Sequence, residues 1–289
     1  SYIKFMELVQ PKILFFENVS GFTIGFKQGN KRGEAYSVYV VNELDRIGYD
    51  VKGQIVDFSE YGVPQKRQRY ILVGIKKEYK IKADKFFDLL TENRADFFKE
   101  KKLEKDFTSL SDAISDLLQS NGTEESPDTK NFRAGIYAKA TTSYQKLMRQ
   151  DKNLVIKIPN SHRFANHKKE TVEKFDYILK NARVNKNISD EIKEKYNLKK
   201  RTVVPLCSKS PTPTLTTLPD DYIHYCEPRI LTVREYARIQ SFPDSYEFKG
   251  GYTTGGDRRK TDVPRYTQIG NAIPPLFAEQ AGLVLKEII

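Results

Sequence analysis

The hydrophobic positions of residues 1–75 switch between helical spacing and runs of strand length. Apolar side chains recur at helical intervals in the opening segment: Tyr2, Phe5, Met6 and Val9. Apolar runs of strand length follow at 13–16, 51–58 and 69–75. A helix is predicted between the first two runs, with Val40, Val41, Leu44 and Ile47 on its buried face and Gly48 at its C-terminal cap. Strands that alternate with helices indicate an α/β sheet, and the last two strands lie close enough in sequence to pair as neighbours.

Beyond residue 75 the pattern becomes less regular. Residues 76–126 are charged and helical, with KKEYKIKADKFFDLL and FTSLSDAISDLLQS as the clearest periodic segments. Residues 127–228 are rich in Lys, Asn, Thr and Pro and contain one predicted helix at 171–182. Pro211, Pro213 and Pro219 exclude a helix from the segment 203–225, so short strands joined by turns are expected there.

Amphipathic helices return at 232–242 and 274–289. We therefore predict a main domain over residues 1–126, a smaller and irregular domain over 127–228, and a return to the main domain over 229–289.

The composition is that of a globular chain with an excess of positive charge. Hydrophobic residues make up 38% and charged residues 30%, no apolar stretch is long enough for a membrane span, and the N-terminus shows no signal-peptide pattern. The net charge of +11 favours a nucleic-acid partner, although a surface rich in lysine would give the same value. Cys207 and Cys226 are too few for a disulfide framework and are spaced unlike zinc ligands, so a reducing cytoplasm is the expected setting.

Two short motifs place polar side chains at strand ends. Glu17 and Asn18 follow the first apolar run in the motif ENV. Gln65, Arg67 and Arg69 alternate in PQKRQRYILVGI, directly before another strand. Period-two spacing puts these three side chains on one face, where the two guanidiniums could bind phosphate, carboxylate or a base carbonyl. Each motif also has a structural alternative. Glu17 and Asn18 could be a strand-end pair with satisfied hydrogen bonds, and Gln65, Arg67 and Arg69 could belong to a basic strand entrance exposed to solvent.

Two further motifs lie near the C-terminus. In PRILTVREYARIQSFPDSYEF, Thr232 and Glu235 have capping-box spacing, and Arg234 and Arg238 lie one turn apart. A structural role is the better interpretation of this helix alone. In QIGNAIPP, the pair 270–271 is predicted to form a tight turn before a helix, whose backbone amides could approach a ligand. A turn that only leads into the helix, without binding a ligand, fits the same pattern.

The order of these motifs resembles that of the DNA (cytosine-5)-methyltransferase family: ENV, QKRQR before a strand, RILTVREYARIQSFPDSY, then QIGNAIPP. The segment PTPTLTTLPDDYIHYCEPR is similar to the end of that family's target-recognition region. Residues 76–200 match only loosely, as expected of a variable DNA-reading part. The resemblance implies an α/β fold made of the second half of a Rossmann-like catalytic domain plus a smaller, irregular target-recognition domain.

The resemblance also implies a chemistry. In that family the target cytosine is flipped from double-stranded DNA because its reactive carbons are inaccessible in the stack. A cysteine thiolate adds to C6, and C5 takes a methyl group from S-adenosylmethionine. Glu17 would face N3 of the base, where a hydrogen bond or proton limits the build-up of charge on the ring. Arg69 would hold the O2 side of the base and orient Glu17.

Other residues receive supporting roles from the same resemblance. Arg67 and Gln65 would support the pocket and the nearby backbone, beside Asn18 of the ENV motif. Asn271 and Ala272 would contact the methyl donor. Arg234 would tie the recognition region to the catalytic core.

The motifs of the family's first half, the donor-binding FxGxG turn and the nucleophile segment PCQ, do not occur in this sequence. Cys207 and Cys226 lie in other contexts within the recognition region, so neither is expected to be the nucleophile. Ser1 lies inside a predicted helix, which favours a cleaved piece or a segment of a longer polypeptide over a naturally split enzyme. An N-terminal portion or partner subunit would then supply the missing motifs, and this piece alone would be inactive.

Two other functions stay open from the sequence. One is a non-catalytic, DNA-binding or regulatory homologue, against which the retention of Glu17 with Arg69 argues. The other is a tRNA cytosine-5 methyltransferase, which the size of the 127–228 region weakly disfavours. The expected location is the bacterial cytoplasm. The pattern assigns no base to Thr214 or Lys209.

Overall fold

The computed structural model describes residues 2–25, 27–28, 31–103, 107–150, 157–253 and 261–289. Its helices are α1 (Tyr2–Val9), α2 (Tyr36–Arg46), α3 (Asp84–Glu92), α4 (Arg94–Glu100), α5 (Leu110–Ile114), α6 (Ser143–Met148), α7 (Lys169–Asn181), α8 (Asp190–Lys195), α9 (Val233–Ile239), α10 (Arg265–Asn271) and α11 (Pro275–Ile288). Its strands are β1 (Ile13–Val19), β2 (Lys27–Gln28), β3 (Lys31–Arg32), β4 (Tyr49–Asp57), β5 (Gln68–Lys76), β6 (Thr123–Glu125), β7 (Arg133–Gly135), β8 (Val204–Pro205) and β9 (Tyr222–Ile223). Among these helices, none has the length and apolar composition that a membrane span requires.

The chain folds into two compact units. The first comprises Ser1–Phe58, Arg67–Phe98 and Ala278–Ile289, and the second comprises Ser59–Lys66 and Lys99–Phe277. These two units describe how the chain packs. The predicted division into a catalytic part and a target-recognition part also concerns function, and it stays a prediction.

A three-stranded antiparallel sheet in the order β1-β5-β4 forms the centre of the first unit. The predicted pairing of β4 with β5 is confirmed. The first strand is longer than its apolar run, because pairing with β5 continues as far as Val19 opposite Arg69. Glu17 and Asn18 therefore belong to the end of β1 and not to the loop that follows. The helix α2 ends as predicted, with Gly48 in the left-handed region at φ +98°.

The two faces of this sheet carry different packing. Even-numbered side chains of β1 join a hydrophobic core that the sheet forms with α1 and α2. The buried residues of this core are Ile3, Met6, Leu14, Val40, Leu44, Tyr49, Tyr70 and Leu72. Odd-numbered side chains lie on the other face, where the rings of Phe15 and Phe86 of α3 are 5.9 Å apart between centroids. Because side chains alternate along a strand, Glu17 lies on the same face as Phe15.

The second unit is built from short elements and turns. As predicted, the 203–225 segment holds two short strands, β8 and β9, which pair in parallel. Capping boxes fix the starts of α5, α6 and α9, and the box of α9 is the predicted one between Thr232 and Glu235. The helices α7 and α8 enclose a separate small core: Phe175, Ile178, Ile188, Ile192, Val203 and Ile223.

Three predicted elements differ in the structure. The helical segment KKEYKIKADKFFDLL is α-helical only in its second half, as α3, after a single 3-10 turn at Lys77–Tyr79. The helix expected over FTSLSDAISDLLQS is confined to α5, because the chain then turns to bury Asp116 against Arg238 of α9. The tight turn predicted at 270–271 is instead the end of α10. The break falls after Asn271, where Pro274 and Pro275 prevent the helix from continuing and begin α11.

Candidate active site

Glu17 and Arg69 form an ion pair across the pairing of β1 with β5. Glu17 lies opposite Ile71 and Arg69 lies opposite Val19, so the two residues are diagonal neighbours on one face of the sheet. Arg69 Nε is 2.9 Å from Glu17 Oε1, and the two side chains are 13% and 19% exposed. Arg69 Nη1 donates to the carbonyl of Gln68 at 2.8 Å. The guanidinium is thus fixed at two points, and the carboxylate stays partly accessible to solvent.

Arg67 places a second cation beside this pair. Burial alternates along the segment, with Arg67 buried and Lys66 and Gln68 exposed, which agrees with the predicted period of two. Burial and the charge of Arg69 lower the pKa of Arg67 to about 10, while Glu17 acts in the opposite direction. Burial also lowers the pKa of Arg69, and its charge interaction and hydrogen bond with Glu17 partly offset this. Both guanidiniums therefore interact electrostatically with the carboxylate of Glu17.

Gln65 belongs to the second unit, where its side chain is fully buried. Its Oε1 accepts a hydrogen bond from the backbone N–H of Leu215 at 2.9 Å. The neighbouring backbone is bonded to Thr212 from both sides, by Lys66 N–H at 2.8 Å and by the carbonyl of Pro64 at 3.0 Å. Gln65 Nε2 is buried with no hydrogen-bond partner among the described residues. In the described structure Gln65 thus anchors the 212–215 segment.

Asn18 is the next-to-last residue of β1. Its Oδ1 accepts a hydrogen bond from the backbone N–H of Val19 at 2.8 Å. This local bond satisfies a strand-end donor that would otherwise need a partner from another strand.

Asn271 and Ala272 form the C-terminal end of α10, and Asn271 is exposed. The preceding Gly270 explains their placement, because a Cβ built there would lie only 3.0 Å from the carbonyl oxygen of Thr216. The absence of a side chain lets α10 approach the 216–217 backbone and holds the exposed amide of Asn271 at the helix end.

Arg234 is fully buried on α9. Its Nε donates to the carbonyl of Asn160 at 2.8 Å, its Nη2 to the carbonyl of Tyr246 at 2.7 Å, and its Nη1 to the carbonyl of Pro243 at 3.2 Å. These bonds hold segments before and after α9 together. A phosphate could not reach this guanidinium without displacing them.

The two cysteines occupy different settings. Cys207 is half-buried, and its backbone N–H donates to Asn185 Oδ1 at 3.0 Å. Cys226 is exposed, but partial burial of its thiol and the charge of Glu227 raise its pKa. A raised pKa lowers the fraction of thiolate, which is the nucleophilic form. Across the ranges that the structure describes, no group of three His, Cys, Asp or Glu residues is arranged to hold a metal ion.

Sequence reasoning did not find the partners of two further arginines. Arg238 bonds to Asp116 and Asp244, and Arg229 bonds to Glu235 through two nitrogens at 2.8 and 2.7 Å. The spacing of Glu235 from Thr232 had indicated the cap, but no local pattern marks it as the partner of Arg229 as well. Both arginine sites are buried and organise the surroundings of α9.

Comparisons with known proteins identify the family and the fold of the chain. The family model described as C-5 cytosine-specific DNA methylase matches residues 1–287. The type II methyltransferase M.DdeI of Desulfomicrobium norvegicum is 29% identical over 289 residues, which cover 96% of this chain and 63% of that protein. The type II methyltransferase M.AquIB of Picosynechococcus sp. is 33% identical over 138 residues, which cover 47% of this chain and 91% of that protein.

A solved structure shares the fold. It is described as a DNA modification methyltransferase encoded within a prophage of E. coli, and it superposes with a TM-score of 0.66 at 21% identity, covering 99% of this chain and 72% of that chain. This likeness supports a mixed α/β methyltransferase fold. The chain spans 63% of the length of M.DdeI and the same share of the type II methyltransferase M.Bpa9945I of Bacillus paralicheniformis.

Proposed function

The chain belongs to the C-5 cytosine-specific DNA methylase family, and we propose that it is the C-terminal portion of a DNA cytosine-5 methyltransferase. The ion pair between Glu17 and Arg69, with Arg67 beside it, carries the proposal. In the proposed reaction a cysteine thiolate outside this chain adds to C6 of a flipped cytosine. C5 then takes a methyl group, and loss of the C5 proton releases the thiolate and restores the ring.

The pair would act on the charge that develops in the base. Addition of a thiolate at C6 pushes electron density toward N3 and O2 of the ring. Glu17, placed at N3, would hold a hydrogen bond or proton there, and Arg69 would donate to O2. Because Gln68 and Glu17 already fix Arg69, this donor would need little rearrangement when the charge appears. Arg67 would add to the positive field of the same site.

S-adenosylmethionine would supply the methyl group as an electrophile when bound. Asn271 and Ala272 fit a place in its site, because the close contact of Gly270 with Thr216 presents an exposed amide at a fixed helix end. Gln65, whose Nε2 is buried with no hydrogen-bond partner among the described residues, keeps the supporting role that the family resemblance implies for it.

The open edge of β1 supports the need for a complementing polypeptide. The N–H of Lys76 donates to the carbonyl of Lys12 at 3.1 Å, so Lys12 and Lys76 are a hydrogen-bonded pair. Hydrogen-bonded and non-hydrogen-bonded pairs alternate along an antiparallel ladder, so this pair determines which residues of β1 bond to β5. Leu14, Phe16 and Asn18 therefore bond to β5, whereas Ile13, Phe15 and Glu17 direct their backbone groups away from it. No described strand pairs with that edge. A strand of the N-terminal portion could add there and bring the nucleophile to Glu17.

The decisive experiment is reconstitution with a co-produced polypeptide that carries the FxGxG and PCQ segments. Transfer of a labelled methyl group is measured on duplex DNA and on tRNA, with each polypeptide alone and with both. We expect transfer to duplex DNA only with both, and a loss of at least about 100-fold in Glu17→Gln and Arg69→Ala.

Matched control variants lie on the opposite face of the same unit. Arg46→Ala and Glu43→Gln remove an exposed ion pair of α2, and both should leave transfer unchanged. Methyl transfer by this chain alone would contradict the proposal. Tight binding of DNA by the pair without transfer would favour a non-catalytic homologue, and transfer to tRNA instead of DNA would favour the tRNA enzyme.

A further inference from the structure

A short segment of the second unit packs its backbone against the end of α10. We call residues 216–221 the supporting segment. A Cβ built at Gly270 would lie 3.0 Å from the carbonyl oxygen of Thr216, so helix and segment are in close contact at this point. The next two residues of the chain are Asn271 and Ala272, which the proposed function places at the methyl donor. The position of this helix end therefore depends on where Thr216 is held.

The hydroxyl of Thr216 connects the two ends of the supporting segment. Its Oγ1 donates to Asp221 Oδ2 at 2.6 Å and accepts from the N–H of Leu218 at 3.2 Å. The N–H of Asp221 in turn donates to the carbonyl of Leu218 at 3.2 Å. A hydrogen bond to a carboxylate is about twice as strong as one between neutral groups, so the bond to Asp221 contributes most to this closure.

Asp221 is a buried carboxylate that is also held on its other side. Its side chain is 4% exposed, and its Oδ1 lies 2.8 Å from Nζ of Lys200, which lies 2.6 Å from Asp220 as well. One carboxylate oxygen is thus bound to a threonine hydroxyl and the other to a lysine. Because the ion pair with Lys200 does not involve the hydroxyl, a mutation of Thr216 can remove one bond and leave the other.

Gln240 holds the same helix end through a second contact. It is the fully buried residue that follows α9, and its Nε2 donates to the carbonyl of Ile269 at 3.0 Å. The same carbonyl accepts the N–H of Ala272 at 3.1 Å. Two successive residues, Ile269 and Gly270, are therefore in contact with groups outside α10, and these contacts fix the last turn of the helix.

We propose that Thr216 and Asp221 are positioning residues for the methyl donor. Their hydrogen bond holds the backbone carbonyl that supports Gly270, and it thereby keeps Asn271 in the orientation that binds S-adenosylmethionine. The inference rests on the proposed function for the identity of this ligand. The role requires no contact between either side chain and the donor. A binding site that is held in place in advance loses little affinity to rearrangement when its ligand arrives.

Three variants isolate the hydroxyl of Thr216. Thr216→Val removes it with little change of shape and leaves Asp221 with its lysine, whereas Thr216→Ser keeps it. Thr142→Val is the matched control from the same unit. The hydroxyl of Thr142 also makes two bonds, because it donates to the carbonyl of Asp112 at 2.7 Å and accepts from the N–H of Gln145 at 3.1 Å. Its loss should lower stability by a similar amount without a change at α10.

The first measurement is the binding of S-adenosylmethionine to the reconstituted enzyme by titration calorimetry. Thr216→Val should bind the donor about 10-fold more weakly. Thr216→Ser and Thr142→Val should bind it as the parent does. Parent-like binding by Thr216→Val would overturn the proposal. Equal weakening in Thr142→Val would overturn it too, because a general loss of stability would then be the cause.

The second measurement uses this chain alone and no donor, which separates the inference from the proposed function. In Thr216→Val, residue-resolved hydrogen exchange should be faster at the N–H of Leu218, which loses its acceptor, and at the N–H of Ala272. Thr142→Val should change neither. Faster exchange at Leu218 with parent-like exchange at Ala272 would show that the helix end does not depend on the supporting segment, which overturns the proposal. Faster exchange at both, with failure of any reconstitution, would leave the support of α10 by Thr216 standing and contradict only the methyltransferase proposal.

Discussion

The guanidinium of Arg238 donates two hydrogen bonds to the carboxylate of Asp244, each 2.6 Å long, and both side chains are fully buried. Asp116 completes the group with two contacts of 3.2 Å to the same guanidinium. Burial alone would raise the pKa of Asp244, but the charge and hydrogen bonds of Arg238 lower it. One buried cation therefore keeps this carboxylate ionised and binds α9 to the segment after α5.

Arg238→Met should destabilise the second unit strongly. The substitution leaves Asp116 and Asp244 buried without their main counter-charge, and breaking a buried pair in this way costs about 3–5 kcal/mol. Urea denaturation followed by circular dichroism measures the loss. The same change at the exposed Arg46 is the control and should leave the unfolding midpoint in place. A small effect of Arg238→Met would mean that water or a rearranged lysine can replace the guanidinium.

Gly270→Ala and Gly282→Ala should change stability in opposite directions, although both glycines lie in helices. A Cβ at Gly270 would meet the carbonyl oxygen of Thr216 at 3.0 Å, whereas a Cβ at Gly282 meets nothing within 4 Å. Overpacking should make the first change cost about 1–2 kcal/mol. The gain in helix propensity should make the second stabilising by about 0.5–1 kcal/mol. Thermal unfolding of both variants checks the signs, and equal signs would contradict the close contact.

Local sequence pattern was sufficient for α1, α2, β1, β4 and β5 of the first unit. The helical spacing of Tyr2, Phe5, Met6 and Val9 and the apolar runs of β1, β4 and β5 were enough to place these elements, because each buries one face against a neighbour. The period of two also predicted that Arg67 and Arg69 share a face. The distance of Glu17 from Arg69 depended on the register of β1 with β5, which the sequence alone did not specify.

The second unit was less predictable for a physical reason. Asp116 and Arg238 are 122 residues apart, and no periodicity links an acid in one turn to an arginine in a distant helix. The end of α10 was misread because Gly and Asn occur both in turns and at helix ends. The functional roles of Glu17, Asn18, Gln65, Arg67, Arg69, Arg234, Asn271 and Ala272 stay predictions.

Acid should begin to destabilise the chain at pH values well above the range in which carboxylates titrate. Burial lowers the pKa of His162 from 6.5 to about 4, and that of His224 from 6.5 to about 3. The unfolded chain therefore binds more protons below pH 6.5, so stability is full above that pH and falls as the pH decreases. At pH 5 each histidine should account for a loss of about 2 kcal/mol.

Urea midpoints between pH 7.5 and 5 measure this loss, and His162→Gln should make the decline shallower. Glu235 adds a second phase at lower pH. Burial would raise its pKa, but Arg229 lowers it from 4.5 to about 2, so its contribution is lost as the pH falls below about 4.5. Constant stability from pH 7.5 to 5 would contradict the buried, neutral state of both histidines.

Hydrogen exchange should alternate along β1. The N–H groups of Leu14 and Phe16 bond to β5, whereas those of Phe15 and Glu17 point to the open edge, so in the isolated chain the first pair should exchange slowly and the second pair fast. Addition of the complementing polypeptide should protect Phe15 and Glu17 and change Leu14 and Phe16 little. Residue-resolved exchange by NMR provides both measurements. Strong protection at Phe15 and Glu17 before the addition would show that the edge is already covered, and the mode of assembly proposed for β1 would then be wrong.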